Sequence, residues 1–217
     1  MWSCSPSSSS RGSSDGELRL SDHSSDVVIL SFLLLIVSAL AVPWLEVSIG
    51  SPGDFLYLLV LPWVVLVPLH EGLHALVAKV FGAKVRFGIT TFGKLIVAPY
   101  IAIETPLRAR EYAVVSLAPL LISAAFLSLA WLLRSNFWAL AYVFNTAGMA
   151  GDFLTALSLL RMPPDAKVFD DGTALRSDAE ISISYPGWVS PALKVAILML
   201  FLVILILGRV EVVVENG

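Results

Sequence analysis

Two histidines four residues apart, with a glutamate beside the first, form the run Pro68-Leu69-His70-Glu71-Gly72-Leu73-His74. On a helix, residues i and i+4 stand on one face with their Cβ atoms about 5–6 Å apart. Two neutral imidazoles at that spacing can hold one tetrahedral zinc ion. A glutamate next to the first histidine lies beside such a metal without being aimed at it. It can take a proton from an attacking water and pass it to a leaving amine, with zinc lowering the pKa of that water to about 7. A motif of three fixed positions also arises by chance, and a buried helix could carry these residues idly. Two observations weigh against chance. The chain has 3 histidines, and two of them fall in this pattern. The run also lies in an apolar segment, where imidazoles and a carboxyl are costly unless a function retains them.

A catalytic zinc takes three protein ligands and leaves one position open. The third donor should be an acid or a histidine at the same depth, and Asp152 is the candidate. Gly72, the middle of the motif, and Asp152 each lie eight residues before the end of their apolar segment, at Val80 and Leu160. At about 1.5 Å rise per residue, both stand roughly 12 Å from one membrane face. Glu46, Asp54, Glu104 and Glu111 fall at or beyond segment ends, and His23 lies in the N-terminal tail. Asn145, Gly148 and Asp152 share one helix side by spacing. Asn145 is a candidate substrate-binding residue, donating to a substrate carbonyl or oxyanion; an interhelical hydrogen bond is the equal alternative.

These residues have to be positioned by a membrane fold. The 217 residues are 57% hydrophobic and only 14% charged, with a mean hydropathy of +0.84. A soluble domain is nearer half apolar and a quarter charged. The sequence therefore predicts an all-α polytopic membrane protein of about five transmembrane helices. The expected spans are Val27–Leu45, Phe55–Val80, Tyr112–Leu133, Phe137–Leu160 and a last one around Val189–Gly208. With the N-terminus in the cytosol, 12 of the 14 lysines and arginines face the cytosol, and only Arg134 and Arg209 lie outside. The basic-residue bias thus predicts an integral protein of the cell membrane with its N-terminus cytosolic and its C-terminus outside. Residues 82–107 hold two runs of β-formers around Phe92-Gly93-Lys94 and predict a small cytosolic β-hairpin between the second and third spans. Residues 161–188 read as a polar loop with turns and a short strand at Glu180–Tyr185.

Residues 1–26 form a separate segment. Eleven of residues 1–25 are serine, and such a tail buries too little apolar surface to offset its ordering entropy, so it is expected to be disordered and cytosolic. Residues 27–210 are the transmembrane domain, with its core at 55–175, and 211–217 are a short C-terminal tail. The single cysteine, Cys4, excludes an intrachain disulfide and any multi-cysteine zinc site. The net charge of −3 and the scattered basic residues speak against nucleic acid as a partner.

Pro68–His74, continuing through Ala75–Lys84, resembles a family of small membrane proteins classed as zincin peptidases, related to the site-2 proteases. The similarity extends through Ala98-Pro99-Tyr100, Thr105–Pro119 and Asn145–Asp152, covering roughly residues 55–175. It implies that Asp152 matches the aspartate ligand of site-2 proteases and that Asn145 matches their substrate-contacting asparagine. The sequence departs from that pattern at Phe153, which stands where glycine follows the aspartate, and in lacking the neighbouring prolines.

The expected function is an intramembrane zinc metalloprotease that hydrolyses peptide bonds of membrane-associated substrates with a zinc-activated water. Zn2+ is the cofactor, His70, His74 and Asp152 its ligands, and Glu71 the general base and then acid. The partners are the lipid bilayer and a membrane protein or peptide that must unwind to expose its carbonyls, with the 82–107 hairpin available to pair with it. A catalytically inactive zinc-binding membrane scaffold and a divalent-metal transporter are the alternatives. Glu71 argues against the first, because a structural site needs no base. The gathering of polar groups at one depth argues against the second.

Overall fold

A long apolar stretch satisfies its backbone N–H and C=O groups within one segment by forming helix. The computed structural model describes residues 17–92, 96–170, 174–177 and 184–207, and they are mostly helical. Among them three helical stretches are long and apolar enough to cross a membrane: Leu20–Leu40, Pro52–Val80 and Ala109–Leu133. Two shorter apolar helices are Ala150–Leu159 and Val189–Val203.

The first stretch consists of a 3₁₀ turn, Leu20–His23, and α1 (Ser24–Leu40). The second is a continuous run of α2 (Pro52–Phe55), a π-type turn at Leu56–Val60, and α3 (Leu61–Val80). It starts where Ser51 Oγ accepts the Asp54 N–H, with Pro52 at the first helical position. The third is broken into α4 (Ala109–Leu117) and α5 (Leu120–Leu133) around Pro119. The span expected at Phe137–Leu160 is likewise two helices, α6 (Asn136–Gly148) and α7 (Ala150–Leu159). Between them Met149, at ψ 2°, leaves the helical region. With 13 and 10 residues, these helices are about 20 and 15 Å long, so neither crosses a hydrocarbon core of about 30 Å alone. The last helix is α8 (Val189–Leu207).

Strands gather on the side where α3 ends. The expected hairpin is present: β2 (Val85–Phe92) and β3 (Ile96–Ile103) pair antiparallel from Val85↔Ile103 to Phe92↔Ile96. Pro99 is tolerated opposite Ile89 because a two-stranded sheet leaves each strand an outer edge. A second sheet was not legible in the sequence. It orders β1 (Glu17–Leu18), β6 (Leu175–Ser177), β5 (Lys167–Asp170) and β4 (Leu107–Arg108), all antiparallel. The stretch expected to be a polar loop thus supplies two strands. Residues 180–183 of the expected strand Glu180–Tyr185 lie outside the described residues, and Ser184 and Tyr185 form no regular structure.

The tail expected to be disordered up to residue 26 is ordered from Glu17 onward. The reason is its aliphatic content: Leu18 is only 3% exposed and packs with Leu107, Tyr112, Val168 and Leu175 in the core beneath the sheet. Residues 1–16 lie outside the described residues. At the far end from the sheets, α1 and α5 are tied by rings. The Arg134 guanidinium lies 4.5 Å from the Trp44 ring and 4.8 Å from the Trp131 ring, and Trp131 Nε1 donates to the Ala41 carbonyl.

Asp26 fixes α1 to the start of α8. It is buried, and its carboxylate accepts from Tyr185 Oη at 2.6 Å and from Ser190 Oγ at 2.9 Å. Burial and the neighbouring carboxylate push the Tyr185 hydroxyl well above the usual tyrosine range, so it remains a donor. Tyr185→Phe leaves one carboxylate oxygen unpaired in a buried site. It should lower stability by about 1–3 kcal/mol, read as a lower midpoint of thermal unfolding in detergent, with Ser190→Ala costing less.

Candidate metal centre

The i, i+4 spacing on α3 sets His70 and His74 side by side, with their ring nitrogens Nε2 3.2 Å apart. The break at Met149 starts a new helix, and Asp152 stands in the first turn of α7, facing them. Its carboxylate oxygens lie 3.2 Å from His70 Nε2 and 3.4 Å from His74 Nε2. All three donors are largely shielded from solvent. Among the described residues they form the group of acids and histidines able to hold a metal.

Hydrogen bonds on the far side of each ring decide what these atoms present to one another. His70 Nδ1 is 3.0 Å from Asn145 Oδ1, and His74 Nδ1 is 2.7 Å from the Val115 carbonyl oxygen. The Asn145 amide is oriented by its own bonds: Nδ2 donates to the Pro119 carbonyl at 3.0 Å and to Ser123 Oγ at 2.7 Å. Its oxygen therefore faces His70. An amide or backbone oxygen only accepts, so both Nδ1 atoms carry the proton. Both Nε2 atoms then carry lone pairs, which converge on each other and on a carboxylate. Such a cluster repels itself unless a proton or a metal cation is held among the three donors. The separations fit a metal cation: ligands about 2.0–2.1 Å from zinc in a tetrahedron stand about 3.3 Å apart. Acceptors facing the outer N–H groups, which fix ring tautomer and angle, are the usual support of metal-bound histidine.

Pro119 explains why the Val115 carbonyl can play this part. In an unbroken helix that oxygen would accept the N–H of residue 119, but proline has none. Within the backbone, Val115 accepts only from the Ala118 N–H, at 3.2 Å, and its second lone pair meets His74. The signal was in the sequence as a proline inside an apolar span, but its partner was not. Also unanticipated were Ser123, which holds Asn145, and Tyr112, whose hydroxyl donates to Asp170 at 2.8 Å.

Of the two roles open to Asn145, the hydrogen bonds found here are the interhelical one: it is fully buried, and its amide joins α6 to α3 and α5. Gly148 has nothing within 4 Å of where a Cβ would stand. A Cβ at Gly151 would meet Leu20, at 3.3 Å, and not the helix that carries the histidines.

Glu71 borders two cavities. One, of about 220 Å³, opens toward the sheets and is lined by Glu71, His74, Tyr112, Ser116, Asp152 and Asp170 among others. The other, of about 250 Å³, is mostly apolar, with Trp63, Leu66, Val67 and Phe144 beside His70 and Glu71. The site can thus receive water from one side and an apolar group from the other.

Two changes test the supporting bonds without touching a donor to the metal. Pro119→Ala restores an N–H that competes for the Val115 carbonyl, and Asn145→Leu leaves His70 Nδ1 unpaired. Each should weaken zinc binding about 10–100-fold, measured by competition with a chromogenic chelator.

Residues 63–167 match a family model described as "Putative zincin peptidase". A protein of Pyrococcus woesei, named "Uncharacterized 24.7 kDa protein in gap 5'region", is 42% identical over 195 residues, covering 90% of this chain and 88% of that one. No solved structure matches the chain. With that extent of identity the chain belongs to one family with the Pyrococcus woesei protein, and the segment that matches the zincin peptidase model holds both histidines, Glu71 and Asp152.

Proposed function

We propose that the protein is an intramembrane zinc metalloprotease acting on membrane-associated proteins or peptides. One observation carries the reading. Three lone-pair donors, from His70, His74 and Asp152, converge at tetrahedral-edge distances with the Glu71 carboxyl on the adjoining residue. The match to the zincin peptidase model supports a metallopeptidase. Zinc held there would supply a Lewis acid, polarising a peptide carbonyl and bringing the acidity of water toward neutral pH.

The chain's own residues supply the rest. His70, His74 and Asp152 hold the metal and, through Asp152, dock α7 on α3. Asn145 and the Val115 carbonyl keep both rings in the Nδ1–H tautomer. Glu71 accepts the proton of the attacking water and returns it to the leaving nitrogen as the peptide bond breaks, so the carboxyl ends as it began. The apolar cavity on the His70 side accommodates a hydrophobic side chain of the substrate.

The orientation is part of the proposal: the N-terminus and both sheets cytosolic, α6 and α7 crossing together, and α8 carrying the C-terminus out. The apolar, exposed faces of α1 and α8 and the Trp44–Trp131–Arg134 cluster at the far end support placement in a membrane, and the bias of lysines and arginines along the sequence supports its direction. It predicts that Ser48→Cys is labelled from outside intact cells and Lys167→Cys only after permeabilisation. The reverse pattern would overturn the orientation.

Glu71→Gln should retain one zinc per chain and lose turnover by about 10²–10⁴-fold. His70→Ala and Asp152→Ala should lose the zinc itself. Elemental analysis of purified protein reads the metal. Quantitative proteomics of membrane fragments, wild type against Glu71→Gln, reads the cleavage. Fragments released equally by Glu71→Gln would refute Glu71 as the base.

A further inference from the structure

The second sheet has an unusual edge. β1 pairs with β6 over two residues, Glu17↔Arg176 and Leu18↔Leu175. So short a strand is not held by its ladder bonds alone. Side chains secure it: Leu18 is buried in the core, and Glu17 pairs with Arg19 and, at 3.8 Å, with Arg176. The segment then leads directly to the candidate metal centre. Leu20 lines the same cavity as Glu71, His74 and Asp152, and packs on Gly151, the residue before Asp152. A Cβ at 151 would stand 3.3 Å from Leu20 Cδ1. From β1 to Leu20 the backbone covers about 10 Å at strand-like rise, running from a sheet edge to the reacting groups.

That is the path an unwound substrate needs. Peptide hydrolysis requires an exposed carbonyl, which a helix hides, and an edge strand holds extended backbone by main-chain bonds while side chains at alternate positions enter pockets. Leu18 in the core and Leu20 in the cavity have that alternation. The segment itself is poorly placed for cleavage. At Leu20 it curls into a 3₁₀ turn, and the Arg19 carbonyl, on the peptide bond before Leu20, accepts the Asp22 N–H at 3.1 Å.

We infer that the edge of β6 covered by β1 is the docking site for an extended segment of the membrane-protein substrate, with an aliphatic side chain at the Leu20 position, and that residues 17–20 occupy it as a built-in competitor. This rests on the proteolytic reading above. The substrate strand displaces β1, and the strap sets how readily the cavity is entered.

The test uses the full chain with Glu71→Gln, so that nothing is consumed, and Cys4→Ser. The probe is a fluorescent synthetic peptide of residues 15–22, followed by polarisation. Chains lacking residues 1–20, or carrying Leu20→Ser, should bind it at least tenfold more tightly than the chain with the intact strap does. A Leu18→Cys/Leu175→Cys chain should lose binding when oxidised and regain it on reduction. A peptide with aspartate in place of Leu20 should bind at least tenfold more weakly. Equal binding to strapped, locked and strapless chains, or no binding to a strapless chain that still holds zinc and unfolds cooperatively, would overturn the inference. Because the readout is binding, it stands whether or not the wild-type chain proves to cleave peptides.

Discussion

Three side chains with unshared electron pairs meet inside an apolar helical bundle, and the rest of the architecture is arranged around that meeting. An aspartate and two imidazoles are costly in such surroundings unless they are paired or coordinated. The partner atoms cannot come from one helix: α3 supplies two donors and α7 the third. Bringing the third within 3.4 Å of both histidines joins two elements that are far apart in sequence. A cation held there would therefore act as a tertiary tie as well as a reagent.

The departures from regular helix follow from this demand. In a regular helix each carbonyl points at the N–H four residues on, which crowds the approach of a histidine from another helix. Pro119 frees one at Val115, and the break at Met149 redirects the chain so that Asp152 enters from a helix start. Asn145, just before that break, uses its whole amide to fix His70 against α5. Irregular backbone at this depth is tolerable because it is buried in protein rather than exposed to lipid.

The two cavities give the site a direction. Toward the sheets lie hydroxyls and carboxylates, including the Tyr112–Asp170 pair. Away from them lie Trp63 stacked on Phe144, with ring centres 5.2 Å apart, and aliphatic side chains. Glu71 stands at the boundary, and in the proposed reaction it would have water on one side and a shielded substrate on the other. The sheets on the polar side also carry the strap, so the N-terminal segment and the chemistry share one entrance.

The sequence by itself determined the long apolar helical stretches, the hairpin region and the pairing of His70 with His74. These depend on local quantities: apolar content, the 3.6-residue period and the two-residue period. The third donor was legible only as a residue at matching depth, because depth is a count along the chain while contact is not. Only the tertiary structure decided that Asn145 faces His70, that the Val115 carbonyl faces His74, and that the expected third and fourth spans are broken. It also showed that Leu18 and Leu20 of a serine-rich tail are ordered. A tail of that composition lacks the surface to fold alone, and it is held because β6 offers an edge and the core beneath it offers room for Leu18. Hydrogen-bond partners and sheet edges arise from segments distant in sequence, and no local period records them.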